Sequence, residues 1–594
     1  MSRHACALPF GATLLAPDRA RFRLWAPSQQ AVLLELEGAA PRALQAVGGG
    51  WHELEAECTA GARYQYRLAN DRLVPDPASR AQAGGVHGPS VVVNPRAYDW
   101  QHDGWLGRPW RETVLYEVHV GACGGYENLT RQLPALAETG ITAIELMPLA
   151  DFAGTRNWGY DGVLPFAPAA TYGPPEALKA FIDAAHGLKL NVFLDVVYNH
   201  FGPDGNHLHA YAPGFFREDR QTPWGAAIDF RRREVRDFFI GNALYWLEEF
   251  RFDGLRLDAV HAIKDTAVLD ELAATVRARI QGSEPQREVH LVLENEDNDA
   301  VRLAPGRFDA QWNDDAHNAL HVLLTGEREG YYGAYAGAPA EHLARCLGEG
   351  FSYQGGAFPG RKSPRGTPSG HLRPGSFVFF LQNHDQVGNR AQGERLCALA
   401  DPEALWSATV LQLLCPQIPL LFMGEDWGAR EPFLFFTDFT GELADAVREG
   451  RRREFANFKA WADPVARESI PDPNDASTFR RSMPDFTAAT RGAGAARRAA
   501  VRDLLALRAR HIAPYLDAAR ALGGVVLSAA AVCGEWQLGG ARLTVAANFG
   551  AASAAMEPMA HVPLYRTAPG VAAAAAKGRL PPRSAAAWLE PAHG

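Results

Sequence analysis

GLRLDAV (254–260) is a short run of leucine and valine that carries two charges, Arg256 and Asp258, two residues apart. Apolar residues on both alternations mark a strand covered on both faces, as in a parallel sheet. Seven more runs of this kind flank it: TVLYEVHV (113–120), AIELMP (143–148), NVFLDVV (191–197), HLVLENE (290–296), FDAQWNDD (308–315), FVFFLQNHD (377–385) and LLFMGED (420–426). Amphipathic stretches lie between them, at 175–188, 233–250 and 266–280. Eight strand–helix units predict an α/β chain closed into a (β/α)8 TIM barrel. An open doubly wound sheet is the alternative, and it is weakened because no glycine-rich phosphate loop follows the first strand.

Outward from the barrel, residues 10–100 break into short strands with Pro and Gly at roughly ten-residue intervals, the rhythm of a β-sandwich. Residues 516–594 return to short strands and predict a C-terminal β domain. The boundaries read as 1–106, 107–515 and 516–594, with 99–110 as a linker and a short excursion after strand 3 at about 198–230. VAAAAAK (571–577) reads as loop filler.

At 594 residues, 47% of them apolar, the chain can bury a large core, and its net charge of −9 shows no basic stripe or tail suited to nucleic acid. Seven cysteines, odd in number and without a C-x-x-C pair, argue against a disulfide framework or a structural zinc site. Neither a signal peptide nor a run of about 20 apolar residues is present, so a cytoplasmic enzyme free of membrane is expected. The excursion offers few clustered carboxylates beyond Asp204, Glu218 and Asp219, whereas calcium wants six to eight oxygens, so no metal or cofactor is expected.

Active sites of such barrels sit at the C-terminal ends of the strands. Charge collects there: Asp195 with Asn199 and His200, Arg256 with Asp258, Glu294, His384 with Asp385, and Glu425 with Asp426. Carboxylates converging from several strands repel one another unless function requires them. Arg256 shares a face with Asp258 and should hold it ionised, as a carboxylate nucleophile requires. Glu294 closes the apolar run HLVL, where a dry setting would keep it protonated as a general acid. Glu296 shares its face and is the alternative acid. A nearby nucleophile and acid/base suit glycoside hydrolysis with retention. Trp158, Tyr160, Trp224 and Trp312 offer flat faces for sugar rings.

DVVYNH (195–200), GLRLDAV (254–260), the Glu294 strand and QNHD (382–385) resemble the four signature regions of the α-amylase family of glycoside hydrolases. The resemblance implies Asp258 as nucleophile, Glu294 as acid/base and Asp385 as transition-state stabiliser. It further implies that Arg256, His200 and His384 hold the sugar at the cleavage point, with Tyr160 of WGYD (158–161) stacking beneath it. Asp161, Asp195 and Glu425 complete the expected binding set. ELMPLADFAGTRNWGYDGVLPFAP (145–168), QWNDDAHNALHVLLTGE (311–327), LQNHDQVGNRA (381–391), MGEDWGAREPFLFFTDF (423–439) and GRRREFANF (450–458) are similar to the malto-oligosyltrehalose trehalohydrolase branch of that family. This likeness covers nearly the whole chain. It extends to the sandwich, which resembles the immunoglobulin-like, carbohydrate-binding-module type of branching and debranching relatives. It implies cleavage of the α-1,4 bond next to a terminal trehalose unit, on a substrate supplied by a malto-oligosyltrehalose synthase. HVGACGGYEN (119–128) and ENEDND (294–299) depart from the branch's usual pattern. A glycogen branching enzyme, a maltodextrin-acting amylase or a non-catalytic glycan-binding protein are the competing readings. FLFFTDF (433–439) sides with the hydrolase, and the intact triad argues against mere binding. Specificity for the trehalose end is expected from Trp312, Asp314, Asp315, Glu425 and Asp426.

Overall fold

The computed structural model describes residues 4–222, 225–282 and 285–591. Its centre is a closed barrel of eight parallel strands: β1 (Leu115–Val118), β2 (Ala143–Leu146), β3 (Asn191–Val196), β4 (Gly254–Leu257), β5 (His290–Leu293), β6 (Ala310–Trp312), β7 (Phe377–Phe380) and β8 (Ile418–Phe422). All eight fall within the runs read from the sequence or overlap them. Every residue of these strands is buried, which is why they read as continuous apolar runs. The amphipathic stretches form helices Pro175–Gly187, Arg233–Glu248 and Ala267–Val276.

Ahead of the barrel stand two antiparallel sheets, one built on Gly11–Ala16, Arg19–Trp25, Trp51–Glu57 and Gln45–Gly48, the other on Leu33–Leu36 and Arg63–Arg67. Ala20, Phe22 and Leu24 alternate inward, and Phe22 meets Tyr64 across the sheets with ring centroids 4.8 Å apart. Phe10 packs edge-on against Phe238 of a barrel helix at 5.3 Å, so the sandwich and the barrel share one core. Residues 99–110 are pinned rather than loose. Trp105 Nε1 donates to Asp253 Oδ1 at 3.0 Å, and Trp110 Nε1 donates to the Gly375 carbonyl at 2.8 Å.

The excursion after β3 folds as a short helix, Leu208–Tyr211, and a hairpin of Phe216–Thr222 with Gly225–Ile228. Trp224 lies outside the described residues. At the C-terminus, five antiparallel strands form a sheet on which VAAAAAK packs. That segment is a helix, Pro569–Ala575, contrary to the loop expected, with Val571 and Ala575 buried beside Leu580 and Trp588. Alanine has the highest helix propensity, and a proline at the first helical position starts the turn.

The helix Gly492–His511 is fastened to the barrel by Arg508, whose guanidinium donates to the carbonyls of Leu413, Cys415 and Gln417 at 3.2, 2.6 and 2.6 Å. Arg508→Ala leaves these buried acceptors unpaired, at about 1–3 kcal/mol for each group stranded. Urea unfolding should move to clearly lower denaturant. An unchanged midpoint would mean that water satisfies the carbonyls and that the helix is held by packing alone.

Candidate active site

Arg256 is entirely buried, and its guanidinium lies 4.3 Å from the centre of the Trp312 ring. Its Nη1 donates to Asp195 Oδ2 at 2.6 Å and to Asp258 Oδ1 at 2.9 Å, while Nη2 lies 2.9 Å from Glu294 Oε2. One cation thus touches carboxylates brought in by three neighbouring strands, β3, β4 and β5. His384 supplies the second cation. Glu117 of β1 accepts from its ring Nδ1 at 2.5 Å and from its backbone N–H at 3.0 Å. On the other side of the ring, Nε2 lies 2.7 Å from the Tyr160 hydroxyl and 3.5 Å from Asp385 Oδ1. Tyr160 donates to Asp195 Oδ2 at 2.7 Å, which closes a chain running Glu117–His384–Tyr160–Asp195–Arg256. Burial works against the imidazolium, but Glu117 and Asp385 outweigh it and lift the His384 pKa to about 9.

Side-chain exposure sorts the carboxylates. Asp258 is 11% exposed, Glu294 18% and Asp385 39%, against 2% for Asp195. The first three therefore face the cleft, and Asp195 is a positioning residue behind them. Glu145, register partner of Glu117 across β1 and β2, is buried with no hydrogen-bond partner, and burial keeps it a neutral acid.

The protonation pattern corrects an expectation. Burial and the Glu294 charge raise the Asp258 pKa well above the carboxylate range. For Glu294, burial is overcome by Arg256, by His261 and by the Ala259 N–H, which donates to Oε2 at 2.8 Å, so its pKa falls. Arg256 is shared rather than dedicated to Asp258, so the two carboxyls titrate together and not independently. The Ala259 N–H occupies Oε2 of Glu294, which leaves Oε1 as the oxygen able to carry a proton.

Of the other expected site residues, Tyr160 stacks on His384 with centroids 5.0 Å apart and is half-buried. His200 lies with Nε2 3.0 Å from the Tyr160 carbonyl, and burial lowers its pKa to about 4. Asp161 accepts from Asn157 Nδ2 at 2.7 Å. Glu296 sits 3.4 Å from Arg361 with half its side chain in solvent and does not reach Arg256, which separates it from Glu294.

Several residues expected to touch sugar do not. Trp312 is covered completely and serves as the floor under Arg256. Trp158 is buried behind His384, stacked on Phe433, with Nε1 donating to the Leu434 carbonyl at 2.9 Å. Glu425 turns toward Gln382 and Arg497 and accepts from the Phe422 N–H at 3.0 Å. Asp426 is paired with Arg498 at 2.7 Å and with the Tyr116 hydroxyl at 2.8 Å. Asp315 is committed to Arg365 and the Tyr335 hydroxyl. Asp314 alone of that group stays beside Glu294 and Asp385, and burial with the Glu294 charge raises it to about 8. Asn313 caps the helix after β6, its side chain accepting from the Ala316 N–H.

Glu117 is a further site residue, and its sequence signal is that it is the one carboxylate in the apolar run TVLYEVHV. The FLFFTDF block also has a physical role that only the structure shows. Asp438 accepts from the Thr155 N–H and hydroxyl, both at 2.8 Å, and with Leu434 it clamps the loop that presents Tyr160.

A parallel barrel with paired carboxylates at its mouth defines a glycoside hydrolase of the α-amylase type. The alpha amylase catalytic-domain model matches residues 95–214, and a domain of unknown function, DUF3459, matches 519–588. The malto-oligosyltrehalose trehalohydrolase of Deinococcus radiodurans is 42% identical, covering 82% of this chain and 80% of its own. That of Saccharolobus solfataricus is 39% identical over 74% and 79%. A Salmonella typhimurium crystal structure described as an alpha amylase superposes with a TM-score of 0.93 at 44% identity, over 98% of this chain and 100% of that one. The chain belongs to the malto-oligosyltrehalose trehalohydrolases.

Glu117→Gln should lower the His384 pKa by roughly a unit or more, since the opposite charge that raised it is gone. The alkaline limb of the kcat/KM profile should then move to lower pH. A profile superimposable on wild type would show that His384 titration does not govern activity.

Proposed function

We propose that this enzyme cleaves the α-1,4-glucosidic bond next to the terminal trehalose of a malto-oligosyltrehalose, with retention at the anomeric carbon. The observation that carries the mechanism is the single guanidinium lying 2.9 Å from both Asp258 and Glu294. That sharing gathers the two carboxyls at one cation, and a close pair is what retention requires. The identity of the relatives supports the substrate.

In the first step an Asp258 oxygen bonds to the anomeric carbon of the last glucan ring. Glu294 delivers a proton to the glycosidic oxygen, the C1–O4 bond breaks, and trehalose leaves. Positive charge developing at C1 over Asp258 favours its anion, which places the proton on Glu294. Asp385, held beside the His384 imidazolium, takes hydroxyls of the distorted ring. In the second step Glu294 removes a proton from water, whose oxygen replaces Asp258 at C1, and a malto-oligosaccharide with an α reducing end departs.

The substrate requires an upstream reaction that converts the reducing end of a maltodextrin into an α-1,1 linkage, the work of a malto-oligosyltrehalose synthase. We place the enzyme in the cytoplasm, on the strength of seven free, scattered cysteines. Among the described residues no helix is long and apolar enough to cross a membrane.

With maltopentaosyl-trehalose, early products should be trehalose and α-maltopentaose by proton NMR, formed faster than any product from maltoheptaose. A β-anomer appearing first would exclude double displacement. Equal rates on the two substrates would exclude trehalose-directed specificity. Asp258→Asn and Glu294→Gln should each lose several orders of magnitude in kcat. Either variant keeping more than about a tenth of wild-type kcat would remove that residue from the mechanism.

A further inference from the structure

The chain turns sharply just behind the nucleophile. Ala259 follows Asp258 at the end of β4 and takes φ 41° and ψ 47°, in the left-handed region. There an L-residue brings its Cβ against the following carbonyl oxygen, and only glycine, or a short polar side chain with a local hydrogen bond, visits the region routinely. Ala259 has neither escape, and at 5% exposure its methyl group is packed as well. Backbone strain of this kind persists only where the surrounding structure holds it.

The neighbouring hydrogen bonds show what holds it. β4 and β5 run parallel, with Leu257 opposite Leu293. The Glu294 N–H donates to the Leu257 carbonyl at 3.0 Å, continuing the ladder. In an unbroken parallel ladder the next bond would run from the Ala259 N–H to the Glu294 carbonyl. It is made one residue late instead, by the Val260 N–H at 3.0 Å. Ala259 is thus the extra residue of a bulge, a device that re-aims groups beside active sites. Its freed N–H goes to the side chain of the same glutamate, donating to Oε2 at 2.8 Å. The turn Val260–Ala262 then carries His261, whose Nδ1 accepts from the Glu296 N–H at 3.3 Å. Three successive residues therefore grip the end of β5. The Asp258 N–H still donates to the Val196 carbonyl of β3 at 3.0 Å, so the bulge leaves the nucleophile in register.

We propose that Ala259 is a positioning residue for the acid/base: its left-handed backbone turns a main-chain N–H out of the sheet and onto Glu294 Oε2, which fixes the carboxyl and presents Oε1 to the glycosidic oxygen. Arg256 Nη2 lies 2.9 Å from the same Oε2, so β4 supplies both donors and both fall on one oxygen. A main-chain donor suits the task because it has no rotamers to lose, and a misplacement of about 1 Å is enough to slow a reaction severely. The inference rests on the assignment of Glu294 as acid/base given above, and not on the trehalose end of the substrate.

An ester bond between residues 258 and 259, with lactic acid in place of Ala259, removes the N–H and keeps the methyl group. For this variant kcat/KM on maltopentaosyl-trehalose, whose leaving group must be protonated, should fall roughly tenfold or more. The loss on α-maltosyl fluoride, whose leaving group departs with little help from an acid, should be several-fold smaller. An equal loss on both substrates, or none on either, would overturn the proposal. Ala259→Gly takes the left-handed region freely and Ala259→Val resists it, so the valine variant should be slower than the glycine variant on the trehalose substrate by about tenfold. Equal rates for the two would count against the conformation, and the ester keeps the test valid if Ala259→Val fails to fold. Glu294→Gln, run alongside, separates the two claims. If it retains the wild-type rate of trehalose release, the acid/base assignment falls and the proposal with it. If it loses that rate while the ester variant retains it, the proposal about Ala259 falls alone.

Discussion

The mouth of the barrel depends on one buried guanidinium. Asp195, Asp258 and Glu294 reach it from three strands, and each of them sits within 3 Å of it. At an effective dielectric near 20, two like charges about 4 Å apart repel by about 4 kcal/mol. Three such groups could not share this space ionised without a cation among them. Arg256 meets the need because its fork can serve several oxygens in one plane and remains charged when buried. Trp312 holds that plane from below, and the carboxylates hold its edge. A lysine here would supply the charge without the fork.

The same charges set the chemistry. Two cations, Arg256 and His384, share the pocket with more acids than they can serve, so burial favours the neutral form of Glu145 and Asp314 and raises Asp258 above the carboxylate range. A retained proton in a water-poor cleft is what a general acid needs at neutral pH. The chain from Glu117 through His384, Tyr160 and Asp195 to Arg256 links both cations, so the tilt of the Tyr160 ring and the protonation of His384 are fixed together. The loop that carries Tyr160 is held in turn by Asp438 and Leu434, almost 300 residues downstream. A Cβ at Gly388 would come within 2.0 Å of the Trp158 ring, so the segment after β7 also closes tightly on that loop.

Much of this was legible beforehand, for identifiable reasons. Strands covered on both faces announce themselves as apolar runs, and a charge at the end of such a run stands out, which is how Arg256, Asp258, Glu294 and Asp385 were found. What the sequence hid was direction. Glu425 and Asp426 end β8 just as Asp385 follows β7, yet they turn to Arg497 and Arg498, partners some seventy residues away that no local pattern indicates. Trp312 reads as a platform until its neighbour Arg256 is placed on top of it. Sequence distance pairs Arg256 with Asp258 alone, whereas in space it serves three carboxylates. Alanine-rich 571–577 was read by its low complexity when its helix propensity was the stronger signal.

The central claim is that Asp258, seated against the shared guanidinium, becomes covalently bonded to the glucan. A maltosyl fluoride bearing a slowing 5-fluoro substituent should acylal-link to the enzyme and be located by peptide mass spectrometry. The account predicts one added maltosyl unit, confined to the peptide containing Asp258 and absent in Asp258→Asn. A label on another residue, or steady hydrolysis of the reagent with no labelled peptide at any time, would contradict it.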